Sequence, residues 1–410
     1  MDMNKFSSYF LMNEHDALEY VQEKYNFFEK GAQLSCVEIG DGNLNYVFRV
    51  KDAATGKSVI LKHSGIETRA HSGRHVDTDR SRIEAEILIK HNELAPGLVP
   101  VVYGYDPVMC CTCMEDLKNY KIMRTALLEE NIYPFFADKI TTYLVDVTLP
   151  TTDIVLDHKT KKKQVQSFIN PDLCDITEQL VYSEAAGNFS GKNTTSNGSK
   201  EFVQKQIYED TDLRLEVAKL KFEFMEHAQA LLHGDIHSGS IFINDEGMKA
   251  FDVEFAFYGP IGYDVGNVLA HMVFALAHSE ATNGEVDHKK DFRNWILKSC
   301  ENIVDMFRDK FTKKYHELAT DNLAKTPGFC QYYLDEIITD TAGAMGTELL
   351  RRVVGVAKVK DITSIEDEDK RAEQEQKLLL LAKRCIMNRK SFNSGKDFVD
   401  AILVQFAEAL

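Results

Sequence analysis

The run His233-Gly234-Asp235-Ile236-His237-Ser238-Gly239-Ser240, followed by Phe251-Asp252-Val253-Glu254, constrains this chain more than any other feature. It places three carboxylates, Asp235, Asp252 and Glu254, within twenty residues. Between them, Ile241-Phe242-Ile243, Asp245-Glu246-Gly247 and Met248-Lys249-Ala250-Phe251 read as strand, turn and strand. Such a hairpin folds the acidic segments back side by side, so Asp235 is expected to face Asp252 and Glu254 across one cleft. Small and polar residues surround Asp235, while apolar Phe251 and Val253 flank the acids. In so partly buried a place, charge is tolerated only where it is used. A helix cap at Asp235 and a solvated strand edge at the other two would account for little of this pattern.

Phosphoryl transfer needs such a grouping. One carboxylate orients or deprotonates the attacking hydroxyl, and the others hold the metal that bridges the nucleotide phosphates. The expectation is an ATP-dependent kinase.

Bulk properties narrow the alternatives. A chain of 410 residues that is 44% hydrophobic and 10% aromatic can build real cores in two or three domains. A net charge of -16 argues against nucleic-acid or anionic-membrane partners, which require a basic face. Asp2, Glu14, Asp16, Glu19 and Glu23 interrupt the first thirty residues, which resemble neither a signal peptide nor a transit sequence. No run of eighteen apolar residues occurs, so a cytoplasmic protein with eight reduced cysteines is expected. Cys110, Cys111 and Cys113 lie in an alternating, strand-like stretch with no second ligand pair nearby, which disfavours zinc.

Along the chain, Asn13 caps an expected helix with Leu18, Val21, Tyr25 and Phe28 on its apolar face. Strands are predicted at residues 36–39, 46–50 and 58–62, the last two joined by Thr55-Gly56-Lys57. A helix after Asp79 carries Ile83, Ile87 and Leu88, and two more strands are predicted at 99–103 and 108–114. The product is a small five-strand antiparallel sheet with one inserted helix. From Leu117 onward the pattern is mainly helical, and Leu213, Val217, Leu220, Phe224, Ala228 and Leu231 recur at helical spacing up to the acidic loop. Two domains are therefore expected, residues 1–116 and residues 117–410. Residues 187–200, rich in Gly, Asn, Ser and Thr, are expected to form a mobile loop, and residues 159–163 a solvated turn.

Gly40-Asp41-Gly42-Asn43-Leu44-Asn45 lies between two strands, where backbone N–H groups can approach anionic oxygens. Two glycines in a hairpin are usually only a turn. Lys62, ending the adjoining strand, gives the loop meaning as a point charge for phosphates. A desolvated lysine needs a carboxylate, and of Glu84 and Glu86 the former shares a helical face with Leu88. Met114-Glu115-Asp116-Leu117, at the change of character, would be a hinge whose backbone meets the adenine edge. Asp264, opening an apolar helix, is either a plain N-cap or a brace for the backbone of the acidic loop.

These residues together resemble the 5-methylthioribose kinase family of methionine salvage. The likeness is carried by Ile39-Gly40-Asp41-Gly42-Asn43-Leu44-Asn45, Asp79-Arg80-Ser81-Arg82-Ile83-Glu84, Met114-Glu115-Asp116-Leu117, Ile169-Asn170-Pro171-Asp172-Leu173-Cys174, the Asp235 loop and Arg351-Arg352-Val353-Val354-Gly355, in the family's order. The resemblance implies an α+β, protein-kinase-like two-lobed fold, with a small antiparallel-sheet N-lobe and a larger, mainly helical C-lobe. It also implies transfer of the ATP γ-phosphoryl group to the 1-hydroxyl of 5-methylthioribose with Mg²⁺, in a homodimer. Carried over by position, Asn45, Lys62 and the Glu115, Asp116 and Leu117 hinge would serve ATP, joined by Gly42 and Glu84 from the loop and helix already described. Asp252 and Glu254 would hold the metal, and Asp235 would be the catalytic residue. Asp235, Arg351 and Arg352 would meet the sugar, with Arg352 bracing the site.

Two departures accompany the resemblance. Ser240 stands where related phosphotransferases often carry a metal-binding Asn, so Glu254 would supply the missing oxygen. Some family members have a tryptophan-bearing loop before the Asp79 helix, whereas this chain reads Ala70-His71-Ser72-Gly73-Arg74-His75. Two rivals remain. One is a related kinase for choline, an aminoglycoside or homoserine, against which the Arg351-Arg352 pair and the lack of an aromatic cage weigh. The other is a nucleotide-binding pseudokinase acting as an interaction module, against which the intact Lys62, Asp235, Asp252 and Glu254 set weighs.

Overall fold

The computed structural model describes residues 5–39, 45–65 and 77–407. It divides into two compact units: Met1–Tyr120 with Lys249–Ala256, and Lys121–Met248 with Phe257–Leu410. The segment carrying Asp252 and Glu254 thus belongs to the first unit.

That unit is built on an antiparallel sheet of β1 (Leu34–Glu38), β2 (Asn45–Asp52), β3 (Ser58–Ser64), β4 (Val102–Asp106) and β5 (Cys111–Glu115), ordered β1-β2-β3-β5-β4. The β2–β3 turn forms because the Asp52 carboxylate accepts the Ala54 N–H and the Thr55 hydroxyl, and Gly56 takes φ +70°. Strand period two then sorts the faces. Phe48, Val50, Val59 and Leu61 join a core completed by Ala17, Tyr20 and Val21 of α1 (Glu14–Lys24). Asn13 caps α1 through a reciprocal bond with Asp16. Lys62, next to Leu61 in β3, projects to the opposite face, where α2 (Asp79–Leu94) brings Glu84 to meet it.

The last two strands start three residues later than their sequence suggests. Asp106 closes a turn by accepting the Val108 and Met109 N–H groups, and Cys110 adopts φ +48°, so residues 107–110 cannot extend. Cys111 and Cys113 are buried in β5, and all eight cysteines are free thiols. Among the described residues these cysteines form no metal-type cluster, and no helix is long and apolar enough to cross a membrane.

The second unit is mainly helical, and its longest members are Ile261–Ala281, Val286–Leu318, Phe329–Val354 and Glu368–Met387. The first and third pack at backbone contact. A Cβ on Gly262 would lie 2.5 Å from the Thr341 nitrogen, and one on Gly266 would lie 2.5 Å from both the Met345 nitrogen and the Thr341 oxygen. Gly266→Ala must push these helices apart and should destabilise the protein by about 1–3 kcal/mol. Gly247→Ala, with nothing within 4 Å, should stay within about 0.5 kcal/mol of wild type. Thermal unfolding followed by circular dichroism checks both.

Two local expectations hold only in part. Residues 159–163 lie in the helix His158–Ser167, capped by Asp157, and Lys161 is buried against the Ala228 carbonyl. The stretch expected to be a mobile loop is instead held by polar bonds. Ser196 donates its N–H and hydroxyl to Glu375, and the Thr194 N–H bonds the Val354 carbonyl. Charge-assisted bonds to a distant helix order a segment that has too little apolar surface to order itself.

Candidate active site

In the first unit, Lys62 is the centre. Its Nζ lies 2.6 Å from Glu84 Oε1 and 2.5 Å from Asp252 Oδ1. Asn45, the first residue of β2, donates its amide to Glu254 Oε2 at 3.0 Å and accepts the Ser64 hydroxyl at 2.9 Å. Arg80, which the sequence reading passed over, lies buried with its Nε 3.4 Å from Glu254 Oε2. Asp252 adopts φ +64°, a left-handed conformation that its short polar side chain tolerates better than most and that recurs at functional sites.

Burial alone would lower the Lys62 ammonium, but Asp252, Glu84 and Glu254 hold it above its usual range. Burial raises the Glu84 carboxyl, Lys62 pulls it down, and Asp252 and Glu254 push it up again, to about 7. Glu254 is raised for the same reasons, with Arg80 opposing. Three acids thus crowd two cations. A hard, oxygen-seeking divalent ion suits that set, because it takes carboxylate ligands and relieves the repulsion between them. Asp252 fits it best, with Glu254 two residues on: Asp252 also meets Lys62, but 42% of its side chain is exposed, whereas Glu84 is 4% exposed.

Gly42 lies outside the described residues, as do residues 70–76. The Glu115 carboxylate bonds Lys249 at 2.7 Å, and Asp116 forms a two-point pair with Arg49 plus a bond to Ser58. Leu117 is buried beside them. Their side chains hold this segment in place, which leaves backbone recognition as the chemistry it can offer a ligand.

In the second unit, Gly234 at φ +84° turns the loop so that the His233 and Gly234 N–H groups both donate to the Asp264 carboxylate, at 2.8 and 3.1 Å. Asp264 sits inside its helix and braces the loop rather than capping the helix, whose N-cap is Pro260. The Ser240 hydroxyl accepts the His237 N–H at 2.8 Å and donates back into the loop, so its place in the fold is structural.

Asp235 projects from this loop, with 23% of its side chain exposed. Arg351 Nη2 donates to its Oδ1 at 2.9 Å, and Arg352 Nη2 lies 3.6 Å from the same oxygen. His237 Nδ1 accepts the Gly239 N–H, so Nε2 carries the proton facing Asp235 Oδ2 at 3.5 Å. Burial would raise the Asp235 carboxyl, but His237, Arg351 and Arg352 hold it well below the usual carboxylate range.

Glu348 is the residue that sequence reasoning missed here. It is fully buried, takes the Nε of both Arg351 and Arg352, and accepts from His271. Its signal was the helical spacing of Glu348 to Arg351 and Arg352, three and four residues apart. Arg124 was missed too, and it donates to the Ser238 hydroxyl of the loop.

A sheet-based unit bearing a Lys–Glu–Asp cluster and a helical unit bearing an arginine-flanked aspartate define a phosphotransferase of protein-kinase-like fold. Comparison with choline kinase from Cryptosporidium parvum Iowa II supports that fold, with a TM-score of 0.50 over 91% of this chain and 96% of that one, at 10% identity. A family model described as the phosphotransferase enzyme family matches residues 195–289. The chain is 35% identical over 375 residues to methylthioribose kinase of Erwinia tasmaniensis, which covers 91% of this chain and 93% of that protein. It is 33% identical over 377 residues to methylthioribose kinase of Bacillus pumilus, with 92% of each chain covered. At that identity and coverage, this chain belongs to the methylthioribose kinase family.

Proposed function

We propose that this protein transfers the γ-phosphoryl group of ATP to the 1-hydroxyl of 5-methylthioribose, giving 5-methylthioribose 1-phosphate and ADP in methionine salvage. The bond from the γ-phosphorus to the bridging oxygen breaks and one to the sugar oxygen forms. The observation that carries the acceptor reading is Asp235 held between two guanidiniums. Arg351 and Arg352 already serve Asp235 as cations, which leaves little for a cationic acceptor such as choline or an aminoglycoside to neutralise, whereas a neutral sugar can accept from the guanidiniums and donate to Asp235.

Lys62 steadies the phosphates, with Glu84 fixing its position, and Gly42, Asn45 and the backbone of Glu115, Asp116 and Leu117 contact the nucleotide. Asp252 and Glu254 would hold Mg²⁺, which when bound neutralises phosphate charge. Asp235 is a weak base at its depressed pKa, so its main task is to orient the hydroxyl. That suffices for a loose transition state, in which little proton removal precedes transfer. A cytoplasmic homodimer without nucleic-acid or membrane partners completes the proposal, and the net charge of -16 supports the last part.

The test is ADP release by purified protein with ATP and Mg²⁺ against methylthioribose, choline, an aminoglycoside and homoserine. Turnover is expected with methylthioribose and is expected to vanish with EDTA. Preference for another alcohol would transfer the assignment to that substrate. Nucleotide binding without turnover on any of them would mean a pseudokinase.

A further inference from the structure

We infer that Glu348 is a positioning residue that aims both arginines at the acceptor site, an assignment that rests on the acceptor reading above. Neighbouring helical residues project about 100° apart, so Arg351 and Arg352 would ordinarily serve different surfaces. Here both guanidiniums converge on one oxygen of Asp235, at 2.9 and 3.6 Å. The cause lies one turn back. Glu348, three and four residues earlier, receives Arg351 Nε on Oε2 and Arg352 Nε on Oε1, the latter at 2.8 Å. With each Nε fixed, both outer Nη2 groups are left pointing at Asp235.

Four charges, two of each sign, are packed together, and Glu348, Arg351 and Arg352 are buried, an arrangement that holds only while every member is paired. Glu348 is itself held. His271 Nε2 donates to its Oε1 at 3.0 Å, which leaves His271 Nδ1 to accept the Ser238 hydroxyl at 3.0 Å. Ser238 lies in the Asp235 loop and accepts the Arg124 backbone N–H through its carbonyl at 2.8 Å. The same glutamate therefore ties the arginine helix to the loop that presents Asp235.

One donor in this network remains unused. Arg352 Nη2 is buried and has no hydrogen-bond partner. An orphaned buried guanidinium N–H is costly unless a ligand oxygen completes it. A sugar hydroxyl between Arg352 and Asp235 would do so, and Glu348 is what holds the donor in readiness.

Glu348→Gln keeps the shape and removes the charge. It should raise the KM for methylthioribose at least tenfold and leave the KM for ATP within twofold. In an Arg351→Lys, Arg352→Lys background, where no fork remains to aim, the same change should cost less than threefold, because coupled residues are not additive. An unchanged acceptor KM, or the same fold loss in both backgrounds, would overturn the assignment. Should Glu348→Gln not fold, His271→Asn loosens the carboxylate without removing it. An acceptor KM at least threefold higher then supports the assignment, and an unchanged one overturns it. Wild-type turnover on methylthioribose, measured alongside, separates the two readings, because its absence defeats the acceptor proposal itself.

Discussion

Asp235→Asn is expected to lower kcat by roughly 10²–10⁴-fold while leaving the Kd for ATP within twofold. The asparagine keeps the size of the side chain and an oxygen for Arg351, so the loop, braced separately by Asp264, should stay in place. What disappears is the charge that orients the acceptor hydroxyl and takes its proton as transfer completes. Because the wild-type carboxyl is held well below the usual range, protonation of Asp235 should impose no acid limb on kcat/KM between about pH 5 and 8. Steady-state ADP release across that range, with calorimetric titration of ATP into both proteins, checks each part. Near wild-type turnover in the variant would remove Asp235 from the mechanism.

How much of this could be read from sequence depended on the range of the forces involved. The Asn13 cap, the strands β2 and β3 and the turn at Thr55-Gly56-Lys57 are local, and the sequence predicts each of them. Pairing of Lys62 with Glu84 rather than Glu86 follows from helical spacing against Leu88. The strands after α2 were misplaced because the Asp106 turn takes up residues that alternate like a strand. Order in residues 194–199 was invisible because it comes from Glu375, about 180 residues away, which no composition window can contain. Similarly, nothing local to Lys161 reveals its partner, the Ala228 carbonyl, which lies far along the chain. In the candidate site, Arg351 and Arg352 were placed only by family resemblance. Helical geometry argued that they diverge, and the buried glutamate that makes them converge carries no signal beyond its spacing.

Lys62→Met should combine a loss of turnover of roughly 10²–10³-fold with a pH-dependent loss of stability, and the two can be separated. Methionine matches the length of the stem but leaves Glu84 buried without its cation. A carboxylate stranded in that way costs about 3–5 kcal/mol unless it takes a proton. In the wild type the Glu84 carboxyl already stands at about 7, against 4.5 in the unfolded chain, and removing Lys62 moves it higher. A group whose folded pKa is raised supports the fold fully below its unfolded pKa, and that support drains away as pH rises through the folded value. The variant should therefore approach wild-type stability near pH 5 and fall increasingly behind toward pH 8, in denaturant melts at both pH values. Lys62→Met with Glu84→Gln removes the stranded charge, so stability at pH 8 should return while turnover does not. Recovery of both would make Lys62 a structural ion-pair partner with no part in handling phosphate. Recovery of neither would mean that the carboxylate at position 84 is not what the lysine compensates.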